Sequence, residues 1–158
     1  MYNLSESCEL TVHEDLSVFM KNRKSTMAFP DSRWKNFSKY FNEIQDAVEK
    51  LKKKEHVKLF VHLGGAIYIS VTTGFKCVDI RRFRQANNDQ LLPTLDGLSL
   101  RLCEWNTLFS SVSKKMELDY PAMNDVVLCA DGMGHNNQMG FIRCGECNPH
   151  SFMDNYFY

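Results

Sequence analysis

No run of apolar residues in this chain approaches the roughly 20 that a membrane helix needs, and no compact catalytic signature is present. There is no Gly-rich phosphate loop, no His-Glu-x-x-His and no paired-acid constellation, so the chain reads as a non-enzyme. Gly132-x-Gly134-His135 is a lone glycine pair. The opening residues, Met1 to Leu10, have no basic stretch followed by an apolar one, which reads as no secretory leader. Without a leader, the six cysteines are expected to be reduced thiols rather than a disulfide framework, and the chain is expected inside the cell. Net charge is missing too: Lys+Arg is 19, Asp+Glu is 19 and the formal sum is +0. A basic balance is the usual footprint of a nucleic-acid binder, so this absence argues at first against that class. What the chain does have is 158 residues with 44% hydrophobic and 12% aromatic content, enough for a core in one ordinary domain or two small repeats.

The zero hides a split. Residues 1–116 carry 18 Lys/Arg against 13 Asp/Glu, or +5, and residues 117–158 carry Arg143 alone against six acids, or −5. Such asymmetry marks a binding body with an acidic extension.

Periodicity divides the body. Residues 9–20 hold short alternating stretches (Leu10, Val12; Leu16, Val18) that suit strands. Lys21-Asn22-Arg23-Lys24 is a polar turn and Thr26 to Phe29 a short strand. After Pro30, Asp31 or Ser32 suits a helix N-cap. Trp34, Phe37, Phe41, Ile44, Val48 and Leu51 then recur at spacings of 3 and 4, which predicts one continuous amphipathic helix of about five turns. From Val57 the period is that of strands: Lys58 to Leu63, a Gly64-Gly65 turn, Ala66 to Val71, a turn at Gly74, Lys76 to Phe83, a loop at Asn87 to Asp89, and Leu98 to Leu102. Trp105, Leu108, Phe109, Val112 and Met116 predict a second amphipathic helix. Beyond it, Asp125 to Ala130 reads as a short strand, and Asp131 to Asn137 as a Gly/Asn-rich loop.

The body therefore repeats. A strand, a short gap, a tryptophan and a helix occur at Thr26–Phe29 with Trp34, and again at Leu98–Arg101 with Trp105. The units are 1–56, with a shortened front, and 57–116, which is more complete; 117–158 is an acidic, aromatic C-terminal extension. Both tryptophans open apolar stripes and are assigned to the core.

Within this repeat, Tyr68-Ile69-Ser70-Val71, Val78-Asp79-Ile80-Arg81, the turn Leu92 to Gly97, Leu98-Ser99-Leu100 and the helix opened by Trp105 follow one another in order. In that order they resemble the positive cofactor four family of transcriptional coactivators, which bind single-stranded DNA. Lys21 to Lys24, Met27-Ala28-Phe29, Trp34 and Ile44 to Leu51 resemble the back half of the same module, and the likeness covers residues 10–116. The resemblance implies an α+β fold: two strand-helix units with curved antiparallel sheets backed by helices, in a pseudo-dimer whose helices pack on each other. It implies single-stranded DNA binding with little sequence preference, in replication or transcription, with a nuclear or replication-site location, replication or transcription proteins as partners, a homo-oligomer as an option and no membrane. A compact, degenerate duplication of this kind suits a DNA virus. The family's basic turn has become Leu92 to Gly97, without a cation, whereas Lys21, Arg23 and Lys24 keep theirs.

Binding a single strand takes cations for phosphates and aromatic faces for bases. The candidates are Lys21, Arg23, Lys24, Lys58, Tyr68, Phe75, Lys76, Arg81, Arg82, Phe83 and Arg84. Along the strand at 76–84, Lys76, Val78, Ile80, Arg82 and Arg84 share one parity and Cys77, Asp79, Arg81 and Phe83 the other, which leaves the exposed face open. Cys144-x-x-Cys147 has zinc-ligand spacing; Cys129, His150 or His135 would complete the set, and a structural zinc is the one cofactor the sequence points to. Two other readings compete. One is a protein-interaction or assembly module on the same fold that has lost DNA binding, supported by the missing cations at 92–97. The other is a small zinc-dependent regulatory protein. The aromatic end, Phe152 to Tyr158, reads as a segment that docks on this fold, on a second copy or in a partner's groove, that occupies the DNA face, or that completes the core.

Overall fold

The computed structural model describes residues 1–132, 135 and 144–150. Two four-stranded antiparallel sheets form from consecutive strands. The first is β1 (Tyr2–Ser5), β2 (Cys8–Val12), β3 (Val18–Lys21) and β4 (Thr26–Phe29), and the second is β5 (Lys58–Gly64), β6 (Ile67–Thr72), β7 (Cys77–Gln85) and β8 (Leu91–Arg101). Helices α1 (Asp31–Lys39) and α2 (Phe41–Lys52) follow the first sheet. After the second come α3 (Leu102–Thr107), a π-helical turn at Leu108–Val112 and α4 (Ser113–Asp119). The fold is α+β with two strand-helix units, as expected. The front of the first unit is shorter than its counterpart but not missing, because Tyr2–Ser5 supplies its outer strand. No helix among the described residues is long and apolar enough to cross a membrane.

Alternation decides which face each sheet buries. In the first sheet Leu4, Cys8, Leu10, Val18, Met20, Met27 and Phe29 are buried. In the second, Leu63, Ile67, Ile69, Val71, Val78, Ile80, Leu98 and Leu100 are. The helices cover both of these faces, and they cross between units. α1 and α2 lie against β5, α2 also against β6, α3 against β1, and β4 runs beside β8. Trp34, Phe37, Phe41, Ile44 and Val48 are buried, as the stripe requires, and Trp105, Leu108, Val112 and Met116 line the second helix. Trp105 joins the two stripes. Its ring meets Phe41 edge-on at 5.4 Å and Phe37 at 6.4 Å, and its indole N–H donates to Gln45 Oε1 at 2.8 Å.

Four expectations are corrected. The helix expected to run unbroken to Leu51 divides at Tyr40, whose N–H bonds to Phe37 O three residues back. That tightened turn keeps Phe37 and Phe41 edge to face at 4.9 Å. Pro30, not Asp31 or Ser32, is the N-cap, so Asp31 sits in the first turn. Leu92 to Gly97 is not a turn: it lies inside β8, which bulges opposite Arg81–Phe83. Asp125 to Ala130 is not a strand: the chain there leaves one 3₁₀ turn (Pro121–Asp125) and enters another (Cys129–Asp131). The π-helical turn falls where Thr107, Ser110, Ser111 and Ser113 all bond back to carbonyls four residues earlier, which competes with the helix ladder.

One buried acid fastens the second helix to the first sheet. Glu104 is 4% exposed. Its Oε1 accepts the Arg101 backbone N–H at 2.9 Å, capping α3, and its Oε2 accepts Ser5 Oγ–H from β1 at 2.6 Å. Burial raises its pKa, but the Ser5 and Arg101 hydrogen bonds outweigh burial and bring it below the ordinary value. A carboxylate of this kind stabilises the fold fully above its unfolded pKa, and the contribution is lost as pH falls through the folded pKa. Glu104→Gln should therefore cost about 1–3 kcal/mol in urea unfolding at pH 7, with the gap to wild type closing below pH 4.5. Gly97→Ala should cost about 1–3 kcal/mol in the same assay, because a Cβ there would sit 2.6 Å from the Ile80 carbonyl and 2.8 Å from Arg81 Cα, both backbone.

Candidate functional site

Pairing between strands resolves the parity left open by the sequence. On β7, Val78 and Ile80 face the helices, so Asp79, Arg81 and Phe83 stand on the helix-free face with Phe60, His62 and Tyr68. Arg82 and Arg84 have the other parity and extend past the helix-covered stretch at the strand end. The helix-free face carries an aromatic group. Phe60 stacks on Tyr68 at 4.7 Å and 7°, and Phe83 stands edge-on to both at 5.1 and 5.3 Å. His62 lies 4.8 Å from Tyr68. Phe60 is 44% exposed, whereas Tyr68 is 9% exposed among its neighbours. Burial pushes the Tyr68 hydroxyl above its ordinary pKa. Burial lowers the His62 pKa, and its Nε2 accepts the Ala66 N–H at 3.3 Å, which requires the neutral ring.

The candidate cations fall into three groups. Lys58, Phe75 and Lys76 meet at one end of the second sheet, because Lys58 pairs with Thr72 across β5 and β6 and the 73–76 turn follows. Phe75 is 67% exposed there. Arg81 is held by Asp79, at 3.2 Å through both Nε and NH2, and donates to Thr94 O at 2.8 Å. Arg82 pairs with Asp96 at 2.8 Å and donates to Gly65 O at 2.7 Å. Lys21, Arg23, Lys24, Lys58, Lys76 and Arg84 form no ion pair among the described residues. Lys21 stands on the helix-free face of the first sheet, between Glu9 and Thr26. Arg23 and Lys24, in the β3–β4 turn, line one open groove with Arg81 and Arg101 from the second sheet. The fold thus brings the basic turn of the first unit to the cations of the second.

Sequence reasoning missed Phe60, His62 and Arg101. Phe60 and His62 alternate with the core-facing Leu59, Val61 and Leu63, and that alternation, read with Tyr68 on the partner strand, is the signal that could have found them.

The cysteines converge elsewhere. Ligand atoms of Cys129, His135, Cys144 and Cys147 all lie within 4.8 Å of one another, so the cluster could hold a metal ion. The Cys129 and Cys144 sulfurs are 3.6 Å apart. That is far beyond an S–S bond, and near the ~3.8 Å edge of a tetrahedron with Zn–S bonds of about 2.3 Å. His135 turns Nδ1 to the Cys129 carbonyl, a backbone contact of the kind that orients a metal-ligating histidine. Burial raises the Cys144 thiol. The N–H groups of Cys147 and Glu146, with the side chains of His135 and Cys129, outweigh it and bring the pKa down to about 7. Burial and the neighbouring thiols push Cys147 up to about 12 and Cys129 upward. Three sulfurs and an imidazole nitrogen held this close are a donor set suited to a soft cation. His150 is not in this cluster. The tight turn at Cys144–Cys147, closed by the Asn148 N–H to Cys144 O bond at 2.8 Å, directs the chain away, and His150 lies over Tyr68 at 6.3 Å and 15°. The aromatic end, Phe152 to Tyr158, lies outside the described residues.

Comparison with protein-family models, curated proteins and solved structures finds no match for this chain.

Proposed function

We propose that the chain binds single-stranded nucleic acid, with little sequence preference, on the helix-free face of the second sheet and in the groove beside it. One observation carries the reading. Three aromatic rings, Phe60, Tyr68 and Phe83, gather on a sheet face that no helix covers, and cations without ion pairs stand at its ends and in its groove. Stacking of bases on such rings tolerates any sequence, and the cations supply a salt-dependent attraction to phosphates. The likeness to the coactivator family supports the same conclusion, with the two units read as a pseudo-dimer and single-stranded DNA in replication or transcription as the ligand. The pairing of Arg81 with Asp79 and of Arg82 with Asp96 favours a second reading, in which the face has turned to protein partners.

A fluorescence titration with oligo-dT at two salt concentrations separates the readings. Micromolar or tighter binding that falls with salt is expected, and Phe60→Ala should weaken it about fivefold or more, the cost of losing one stacked base. No binding at low salt would leave the protein-interaction reading.

The thiolate cluster takes a structural zinc in the same proposal, with Cys129, His135, Cys144 and Cys147 as ligands. Three thiols and an imidazole are the soft donor set that zinc favours over magnesium or calcium. The purified chain should carry one equivalent of zinc by mass spectrometry under native conditions, and Cys144→Ser should lose it. A folded protein that takes up no metal would end the assignment.

A further inference from the structure

After Met116 no described residue is buried, so the described residues between 117 and 150 form no core of their own. Met123 packs against the edge of the body's core, and polar anchors converge on the cysteine cluster from both sides. Before the cluster, Lys35 of α1 donates to the carbonyls of Asn124, at 3.0 Å, and Val126. Within the Cys144–Cys147 turn, Glu146 sits between two ligands and points outward. Arg33 of α1 grips its carboxylate with two hydrogen bonds, from Nε at 2.8 Å and NH2 at 2.6 Å. The Glu146 carbonyl accepts the Gly65 N–H at 2.9 Å.

The β5–β6 turn is shaped to receive it. Gly64 and Gly65 have φ of +139° and +57°. A Cβ on Gly64 would lie 2.0 Å from Glu146 Oε1, and one on Gly65 would lie 2.3 Å from Arg33 NH2. The turn thus holds a seat that only glycines leave open. The contact joins α1 of the first unit to the β5–β6 turn of the second. Four residues beyond Glu146, His150 rests on Tyr68 with its Nε2 buried and without a hydrogen-bond partner among the described residues. Such an atom does not favour its own burial. The segment holds it there.

We propose that residues 144–150 are a metal-dependent clasp: zinc at the Cys129/His135/Cys144/Cys147 cluster folds the turn that seats Glu146 on Gly64–Gly65 and Arg33, and the seated clasp lays His150 over Tyr68. A loop without a core gains its fold from the ligated cation, and losing the cation releases the seat. The clasp stands on the cluster and the Glu146 contacts alone. Its consequence, that the seated clasp withholds one stacking ring, rests on the nucleic-acid reading above.

Hydrogen exchange on the full chain tests it, read at the Gly65 amide. Exchange should speed up tenfold or more when zinc is stripped by chelation, and by a similar factor in Glu146→Ala and in Arg33→Ala with zinc retained, since neither residue is a ligand. Equal Gly65 exchange in zinc-loaded and stripped wild type would overturn the clasp. Oligo-dT supplies the second readout. Glu146→Ala should bind it about fivefold tighter or more, the fold-change for one added stacked base. Unchanged affinity with faster Gly65 exchange would overturn the covering role of His150. Failure of every form to bind oligo-dT would overturn the nucleic-acid reading while the exchange result still decides the clasp.

Discussion

The contact on which the rest depends is the aromatic column that runs from Phe29 through Trp34, Phe37 and Phe41 to Trp105. Each ring meets the next between 4.9 and 5.5 Å, edge to face. Such pairs contribute about 0.5–1.5 kcal/mol each beyond the area they bury. The column starts in the last strand of the first sheet and ends in the helix of the second unit. It is therefore both the core of each unit and the joint between them. The helices of each unit pack on the sheet of the other as well as on their own, so the two units hold each other in place.

That constraint disposes the remaining surfaces. With the helices gathered on one side, the opposite face of each sheet is left without a helix, and alternation loads it with whatever the buried parity does not use. On the second sheet this leaves Phe60, Tyr68 and Phe83 in contact with one another and Arg81 across the strand from Tyr68. The approach of β4 to β8 closes the other half of the arrangement, since it carries the β3–β4 turn to the edge where Arg81 and Arg101 stand. A single groove then draws cations from segments 57 to 78 residues apart in sequence. No local motif contains that groove.

The helices and most strands were legible because their periods are local. A stripe at spacings of 3 and 4, or an alternation of 2, is a property of a dozen residues. The break at Tyr40 and the π-helical turn were not, because each is a choice between hydrogen bonds made inside a helix that the pattern already permits. Leu92 to Gly97 misled for a different reason. Pro93 and Gly97 are turn residues in isolation, yet β8 accommodates both around a bulge. The cation candidates were legible as residue types but not as free or neutralised groups. Asp79 and Asp96, which hold Arg81 and Arg82, lie on the same face or on the neighbouring strand, and only register reveals that. In the thiolate cluster the Cys-x-x-Cys spacing marked two members. Choosing His135 over His150 needed the turn at Cys144–Cys147, which sends the later histidine to Tyr68.

The vanishing net charge then acquires a physical meaning. A basic body and an acidic extension on one chain attract each other at the short range where screening is small. One ion pair and several hydrogen bonds join the two. Asp119 accepts the Tyr2 hydroxyl at 2.5 Å, Glu146 takes Arg33, and the carbonyls at 124 and 126 take Lys35. The extension therefore engages the cations of α1, on the helical side of the body, and leaves Arg23, Lys24, Lys58, Lys76 and Arg84 without ion pairs among the described residues. Cancellation in the sum does not mean cancellation at the surface. Among the described residues Glu146 and Asp119 fasten the extension to the body, and cations without ion pairs remain beside the aromatic face and in its groove.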